Sequence, residues 1–203
     1  MRNLALFAFL LGTASPAAAQ PPTLDALLRE FSALPGLEAR FVEEKRIALL
    51  AVPLRSEGRI YFSGHRLMRR VTSPEESSAL IADGQLTMRS GERVEQLSIS
   101  SNPVLRGFVE SFRAVLAGDR EVLERFYQTE LTPTDEGWEL LLRPRNADLR
   151  RFLRSIRMRG SGVTIHEMRM VEVSGDETRT EFFDVNTERH FSDSEASRIF
   201  RIR

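Results

Sequence analysis

The 203-residue chain contains no cysteine. That excludes disulfides, thiolate metal sites and a lipid anchor carried on an N-terminal cysteine, so a packed core has to hold the protein together unaided. Histidine is scarce: His65, His166 and His190 stand in no ligand spacing such as HExxH, and no metal is expected. Lysine is nearly absent. Lys45 is the one example, and the remaining basic residues are arginine. The 29 basic residues are matched by 29 acidic ones, without the basic excess that nucleic-acid binding favours. No apolar run reaches the ~20 residues that span a bilayer as a helix. Catalytic signatures are missing as well. Gly160-Ser161-Gly162 reads as a hairpin turn and lacks the GxSxG of a nucleophile elbow. Glu75 and Glu76 are neighbours, which on a strand would point them to opposite faces. No glycine-rich phosphate loop precedes a helix. These absences favour a binding protein over an enzyme, with a hydrolase of unrecognised site as an alternative.

What is present begins with a targeting segment. Met1–Ala19 has Arg2 near its start, an apolar stretch from Leu4 to Leu11, and Ala17-Ala18-Ala19, the order of a secretory signal with a small-residue cleavage site. The mature chain is expected to run from Gln20 to Arg203 as a single domain that buries roughly 70% of its unfolded surface. Thr23 is placed to cap a helix whose stripe is Leu24, Leu27, Leu28, Phe31 and Leu34, ended by Pro35-Gly36. A second helix is predicted from the Asn102 cap and Pro103, with Val104, Leu105, Phe108, Val109, Phe112, Val115 and Leu116 at helical spacing and Gly118 closing it. Asp119 to Arg125 could add one further turn or a short helix.

Between and after the helices the pattern is of short strands. From Leu54 to Phe62, Leu54, Ser56, Gly58, Ile60 and Phe62 alternate with Arg55, Glu57, Arg59 and Tyr61, which marks a strand with one charged and one drier face. Strands are read near Leu37–Ile47, Arg66–Val71, Glu76–Ala82, Gln85–Arg89 and Arg93–Ile99, with Asp83-Gly84 as a tight hairpin. After the second helix they resume near Phe126–Leu131, Trp138–Leu142, Phe152–Arg159, Val163–Val173 and Glu177–Asp184. A last edge strand is expected within Glu188–Ile202, where Phe200 and Ile202 alternate with Arg201. Leu37 to Met88 thus forms an antiparallel meander with a dry side, a candidate container. Small residues (Ser56, Gly58, Ala79, Ala82) would leave room in it, and Met68, Met88, Met158, Met168 and Met170 are adaptable fillers. Arg150, Arg151, Arg154, Arg157 and Arg159, joined by Arg66, Arg69 and Arg70, read as a solvated face balanced by acids. The other reading of this run is a docking patch for an acidic partner or lipid head groups.

Several of these motifs, taken in order, resemble the LolA family of periplasmic outer-membrane lipoprotein carriers. They are Ala39-Arg40-Phe41-Val42-Glu43-Glu44-Lys45, Ser56-Glu57-Gly58-Arg59-Ile60-Tyr61-Phe62, Ser73-Pro74-Glu75-Glu76-Ser77 and Leu80-Ile81-Ala82-Asp83-Gly84. Phe182-Phe183-Asp184-Val185-Asn186 through Phe200 completes the series. The resemblance implies a mainly β fold: an incomplete antiparallel β-barrel of about ten or eleven strands under a lid of amphipathic helices. It implies a soluble monomer in the periplasm of a Gram-negative bacterium, without cofactor. Such a carrier takes the acyl chains of a lipoprotein, or another lipid-like cargo, from an inner-membrane transporter and passes them to an outer-membrane acceptor. The expected lining is Leu28, Phe31, Phe41, Ile60, Phe62, Leu80, Leu86, Phe108, Phe112, Trp138 and Leu140. Gly64-His65 stand where the family often has an arginine, which helps hold the lid closed, followed by a proline; Arg66 or Arg69 could substitute for that arginine. The alternative from another class is a lipid- or peptide-sensing module on the same concave sheet.

Overall fold

The computed structural model describes residues 23–101, 106, 109, 114–116 and 118–202. The predicted signal and the start of the second helix, with Phe108 and Phe112, lie outside the described residues.

Helix α1 (Leu24–Ser32) forms where the spacing predicts it, and the Thr23 hydroxyl accepts from the Ala26 N–H at 3.2 Å. Its stripe of Leu27, Leu28 and Phe31 is buried. Eleven strands follow: β1 (Leu37–Arg46), β2 (Leu54–Ser63), β3 (Arg66–Ser73), β4 (Ser77–Ala82), β5 (Gln85–Ser90), β6 (Arg93–Ser98), β7 (Tyr127–Thr134), β8 (Gly137–Pro144), β9 (Leu153–Ser161), β10 (Thr164–Glu172) and β11 (Glu177–Asn186). The β4–β5 hairpin turns on Asp83 and Gly84, both at positive φ (50° and 72°), as a two-residue type I′ turn requires.

All eleven strands belong to one antiparallel sheet in the order β6-β5-β4-β3-β2-β1-β11-β10-β9-β8-β7. Two meanders are therefore joined by β1 and β11, whose register sets Phe41 opposite Phe182 and Lys45 opposite Thr178. The sheet stays open, with β6 and β7 as its edges, in agreement with the incomplete barrel expected. The chain leaving β6 has to reach β7 at the far edge, and it does so over the inner face. It passes through a 3-10 turn (Ile99–Ser101), helical residues at 114–116, and α2 (Arg120–Phe126), the short helix that was one of the two forms expected there. Ala114, Val115, Leu116 and Leu123 join α1 and the inner face of β8 and β9 in the main apolar cluster. Short α3 (Ala147–Arg150) links β8 to β9.

The C-terminal segment departs from expectation. In place of an edge strand it forms α4 (Asp193–Ile199). The reason is local: Ser192 and Glu195 make a capping box, with the Ser192 hydroxyl accepting from the Glu195 N–H and the Glu195 carboxylate accepting from the Ser192 N–H. That Ser-x-x-Glu signature outweighs a two-residue alternation. Phe191, Ala196, Phe200 and Ile202 then pack on Tyr61, Met68 and Leu80, on the outer face of the sheet. Arg70 donates to the carbonyl of Ile199 at 2.8 Å, at the end of α4 where a cation suits the helix dipole.

The outer face of β8–β11 is a lattice of cross-strand ion pairs. Arg159 meets Glu139 at 2.8 Å, Arg179 meets Glu167 at 2.7 Å, and Arg169 meets Glu177 at 2.7 Å. Arg157 also reaches Glu139, at 3.5 Å. Arg157 and Arg159 of the arginine run are thus part of a solvated face balanced by acids, as read from the sequence.

Candidate functional site

In an antiparallel sheet, residues opposite one another share a face. Register therefore carries one continuous surface across the strands: Leu37 and Ala39 of β1 face Phe62 and Ile60 of β2, and Phe62 faces Leu67 of β3. On the other side Phe41 faces Phe182 of β11, and Met168 of β10 faces Met158 of β9, which in turn faces Leu140 of β8. This inner face is apolar over most of its width.

At its centre lies a narrow cavity of about 30 Å³, walled by Ile60, Phe62, Leu67, Met158, Met168 and Phe182 and roofed by Leu116. Leu37, Ala39, Ile165 and Val185 complete the wall, so every lining residue is apolar. The space corresponds to about one water molecule, which a site without polar partners does not hold. The roof consists of helices packed on one another: Arg120 pairs with Asp25 at 2.8 Å, and Gly118 (φ +68°) lies where an added Cβ would be 2.5 Å from the Leu28 carbonyl oxygen.

Beyond the cavity wall, the inner face turns polar at one place. Arg69, opposite Ile60 in the register, donates to Glu43 at 2.9 Å and lies 4.4 Å over the Phe41 ring. Thr180, buried and opposite Glu43, donates to the second carboxylate oxygen at 3.2 Å. A half-buried carboxylate is acceptable here because a guanidinium and a hydroxyl satisfy it.

The predicted lining residues separate into several groups. Ile60 and Phe62 line the cavity. Leu28, Phe31, Trp138 and Leu140 lie in the adjoining main cluster, with Phe31 edge-on to Trp138 at 6.1 Å. Phe41 shares the inner face but packs beneath Arg69. Leu86 belongs to a smaller cluster with Ile99 and Val109. Leu80 requires a correction. It stands opposite Met68 and packs with Tyr61, Ala196 and Phe200 on the outer face. Its neighbours Ala79 and Ile81 point inward, since adjacent strand residues take opposite faces. Leu67, Met158, Met168 and Phe182 are lining residues the expected set omitted. The methionines were legible as fillers, and Phe182 could have been found from its alternation with Phe183, which is 42% exposed.

The two arginines near the Gly64-His65 turn have other partners among the described residues: Arg66 lies over the Phe200 ring at 4.7 Å, on the outer face, and Arg69 serves Glu43. Among the described residues no group of histidine and carboxylate side chains could hold a metal ion, and no helix is long and apolar enough to cross a membrane.

The sequence matches the family described as outer membrane lipoprotein carrier protein LolA-like over residues 14–197. The chain belongs to this LolA-like family. No curated protein matches the sequence significantly. Solved structures repeat the architecture at low identity. A DUF1329 family protein from Desulfovibrio piger is 12% identical with a TM-score of 0.51, over 87% of this chain and 96% of that one. A Pseudomonas aeruginosa MucA/MucB complex is 15% identical with a TM-score of 0.50, over 83% of this chain and 56% of that one. A LolA superfamily protein from Nitrosomonas europaea is 11% identical with a TM-score of 0.44, over 85% and 96% of the two chains. The first two place this LolA-like chain in a shared fold; what fills the cavity is a separate question.

Proposed function

We propose that this LolA-like protein is a periplasmic carrier that shields the acyl chains of a lipoprotein, or of another lipid-like cargo, between the inner and outer membranes. The observation that carries the reading is the wholly apolar cavity between the concave sheet and a roof of separate helices. Each methylene kept from water contributes about 0.8 kcal/mol, so an acyl chain in transit needs such a surface. Cargo of that length requires more than the space of about one water, so it enters by displacing the roof and replacing its apolar contacts. Ile60, Phe62, Met158, Met168 and Phe182 line its path in this reading. Leu28 and Phe31 belong to the roof, and Phe108 and Phe112 are assigned to it on their helical spacing in the sequence, with Phe41, Leu86, Trp138 and Leu140 extending the dry surface. Residues 1–19 direct export, and an inner-membrane transporter and an outer-membrane acceptor are the implied donor and recipient.

The test is mass spectrometry of lipids that co-purify with the mature protein, together with retention of an acylated peptide against its unacylated form. Ile60→Trp, which fills the cavity, and Phe108→Asp, which spoils the roof, are expected to abolish retention while leaving the β-sheet spectrum intact. Equal retention of both peptides with no co-purified lipid would sink the proposal. A second reading, a sensing module, draws on the structure of the same fold solved as a MucA/MucB complex. It predicts a stable protein partner and no transfer of acylated peptide from donor to acceptor membranes.

A further inference from the structure

Among the described residues nine large apolar side chains are exposed, and six of them gather at one end of the sheet. The loop between β1 and β2 carries Leu49 (93% exposed), Leu50 (50%) and Val52 (72%), and Leu54 (53%) opens β2. From Ile47 to Leu54 the sequence IALLAVPL contains no polar side chain. Beside it lie Val173, in the turn between β10 and β11, and Phe152, just before β9. Hydrogen bonds bind the three segments together. The Ala48 N–H donates to Asp176 at 3.0 Å, the Val173 N–H donates to the Phe152 carbonyl at 2.8 Å, and Arg154 donates to the Val173 carbonyl at 3.2 Å. The apolar tip is therefore a fixed projection of the sheet.

Its collar is cationic. Arg55 and Arg150 have no ion pair among the described residues, Arg154 is bonded to a neutral carbonyl, and Arg151 is 4.0 Å from Asp148. Of the acids around the loop, Glu44 pairs with Arg46, Glu172 with Lys45 and Glu177 with Arg169, and Asp176 accepts from the loop backbone. Glu57 of β2, and Glu75 and Glu76 in the turn between β3 and β4, stand at the same end of the sheet but on the β3 side, away from Arg150, Arg151 and Arg154. Arg150, Arg151 and Arg154 are the part of the arginine run that the cross-strand ion pairs do not absorb.

We infer that this end of the molecule docks on an anionic phospholipid surface. The aliphatic side chains of Leu49, Leu50 and Val52 enter the head-group boundary, and Arg55, Arg150, Arg151 and Arg154 meet the phosphates. An exposed apolar patch of this size calls for a partner. Apolar burial combined with basic side chains is the recognised chemistry of interfacial binding. A bilayer fits better than a protein because the tip stands out into solvent, with Leu49 and Val52 largely exposed, and offers no polar side chain with which to select one. The inference does not depend on what fills the cavity.

Vesicle flotation of the mature protein tests it, with phosphatidylcholine alone and with phosphatidylglycerol added. Binding is expected to the anionic vesicles at low salt and to weaken at high salt, as screening demands. Leu49→Asp with Val52→Asp is expected to lower vesicle affinity at least tenfold, about the least that losing two buried aliphatic side chains implies. The same variant should retain acylated peptide as before, which separates failure here from failure of the carrier reading. Arg150→Glu with Arg154→Glu should remove the preference for anionic vesicles. Leu49→Trp supplies an independent readout, a blue-shifted emission on vesicles above the buried Trp138 background. Absence of flotation, undiminished flotation of the aspartate variant, or an emission unchanged by vesicles overturns the inference. So does a gel-filtration shift showing that the tip pairs two copies of the chain instead.

Discussion

Replacing Phe31 with alanine removes the side chain that seats α1 on the sheet. Phe31 is 1% exposed and meets Trp138 edge to face at 6.1 Å with an interplanar angle of 81°. Truncating a buried phenylalanine costs about 3–5 kcal/mol, a figure that includes the ~0.5–1.5 kcal/mol of an aromatic pair. With a urea m-value of about 2 kcal/mol per molar, the midpoint should fall by roughly 1.5–2.5 M. The melting temperature should drop by about 6–20 °C, using ~2–4 °C per kcal/mol for a chain of this size. Urea titration followed by circular dichroism and by Trp138 fluorescence measures both the loss and the ring contact. Phe183→Ala, at a site 42% exposed, is the control and should cost about 1 kcal/mol or less. A loss at Phe31 no larger than at Phe183 would refute the reasoning, because α1 would then not be seated on the sheet in solution. The value also bears on loading: burying Leu27, Leu28 and Phe31 contributes roughly 1.5–3 kcal/mol each. A roof so held lifts only when cargo supplies equivalent contacts.

Two further outcomes follow from local chemistry. The Arg189 guanidinium, 2.7 Å away, and the Ser192 backbone N–H and hydroxyl hold the Glu195 carboxyl at about 2, below its ordinary 4.5. Because the folded value is the lower one, this contribution to stability is present above pH ~4.5 and lost as pH falls through about 2. Glu195→Gln should flatten that part of the profile, measured as the urea midpoint at pH 7 and pH 3. An unchanged profile would mean that the exposed pair is screened to insignificance. At Gly58 an added Cβ would lie 1.9 Å from the Arg70 carbonyl oxygen, so Gly58→Ala has to part β2 from β3 and should destabilise by about 2–3 kcal/mol or more. At Gly64, where nothing lies within 4 Å and φ is +59°, alanine should cost only the ~1–2 kcal/mol of a left-handed conformation. Thermal melts that rank the two in the opposite order would contradict the packing described at Gly58.

Much of the fold was legible in order along the chain, because its signals are local. The 3.6-residue stripe of α1, the Thr23 cap, the Asp83-Gly84 hairpin and the alternation of β2 act between near neighbours, and each appears where expected. The capping box of Ser192 and Glu195 is equally local, but the expectation of a strand rested on the alternation of Phe200 and Ile202 and missed it. Leu80 shows where local pattern stops: every residue of β4 is half-buried, so alternation names two faces without saying which one is inside. Only the register against Met68 and the packing of α4 decide it. The pairing of β1 with β11 is equally nonlocal, and it brings Phe182 and Met168 to Ile60 and Phe62 to make the cavity. It also places the turn at Val173 and Asp176 against the loop at Leu49. By itself the sequence determined the elements up to β11, the apolar inner surface and the family likeness, since these rest on spacing and motif order. Which apolar residues form a cavity, which form core, and which gather uncovered at one end was decided by tertiary structure, because strands far apart in the chain fix faces only when they pair.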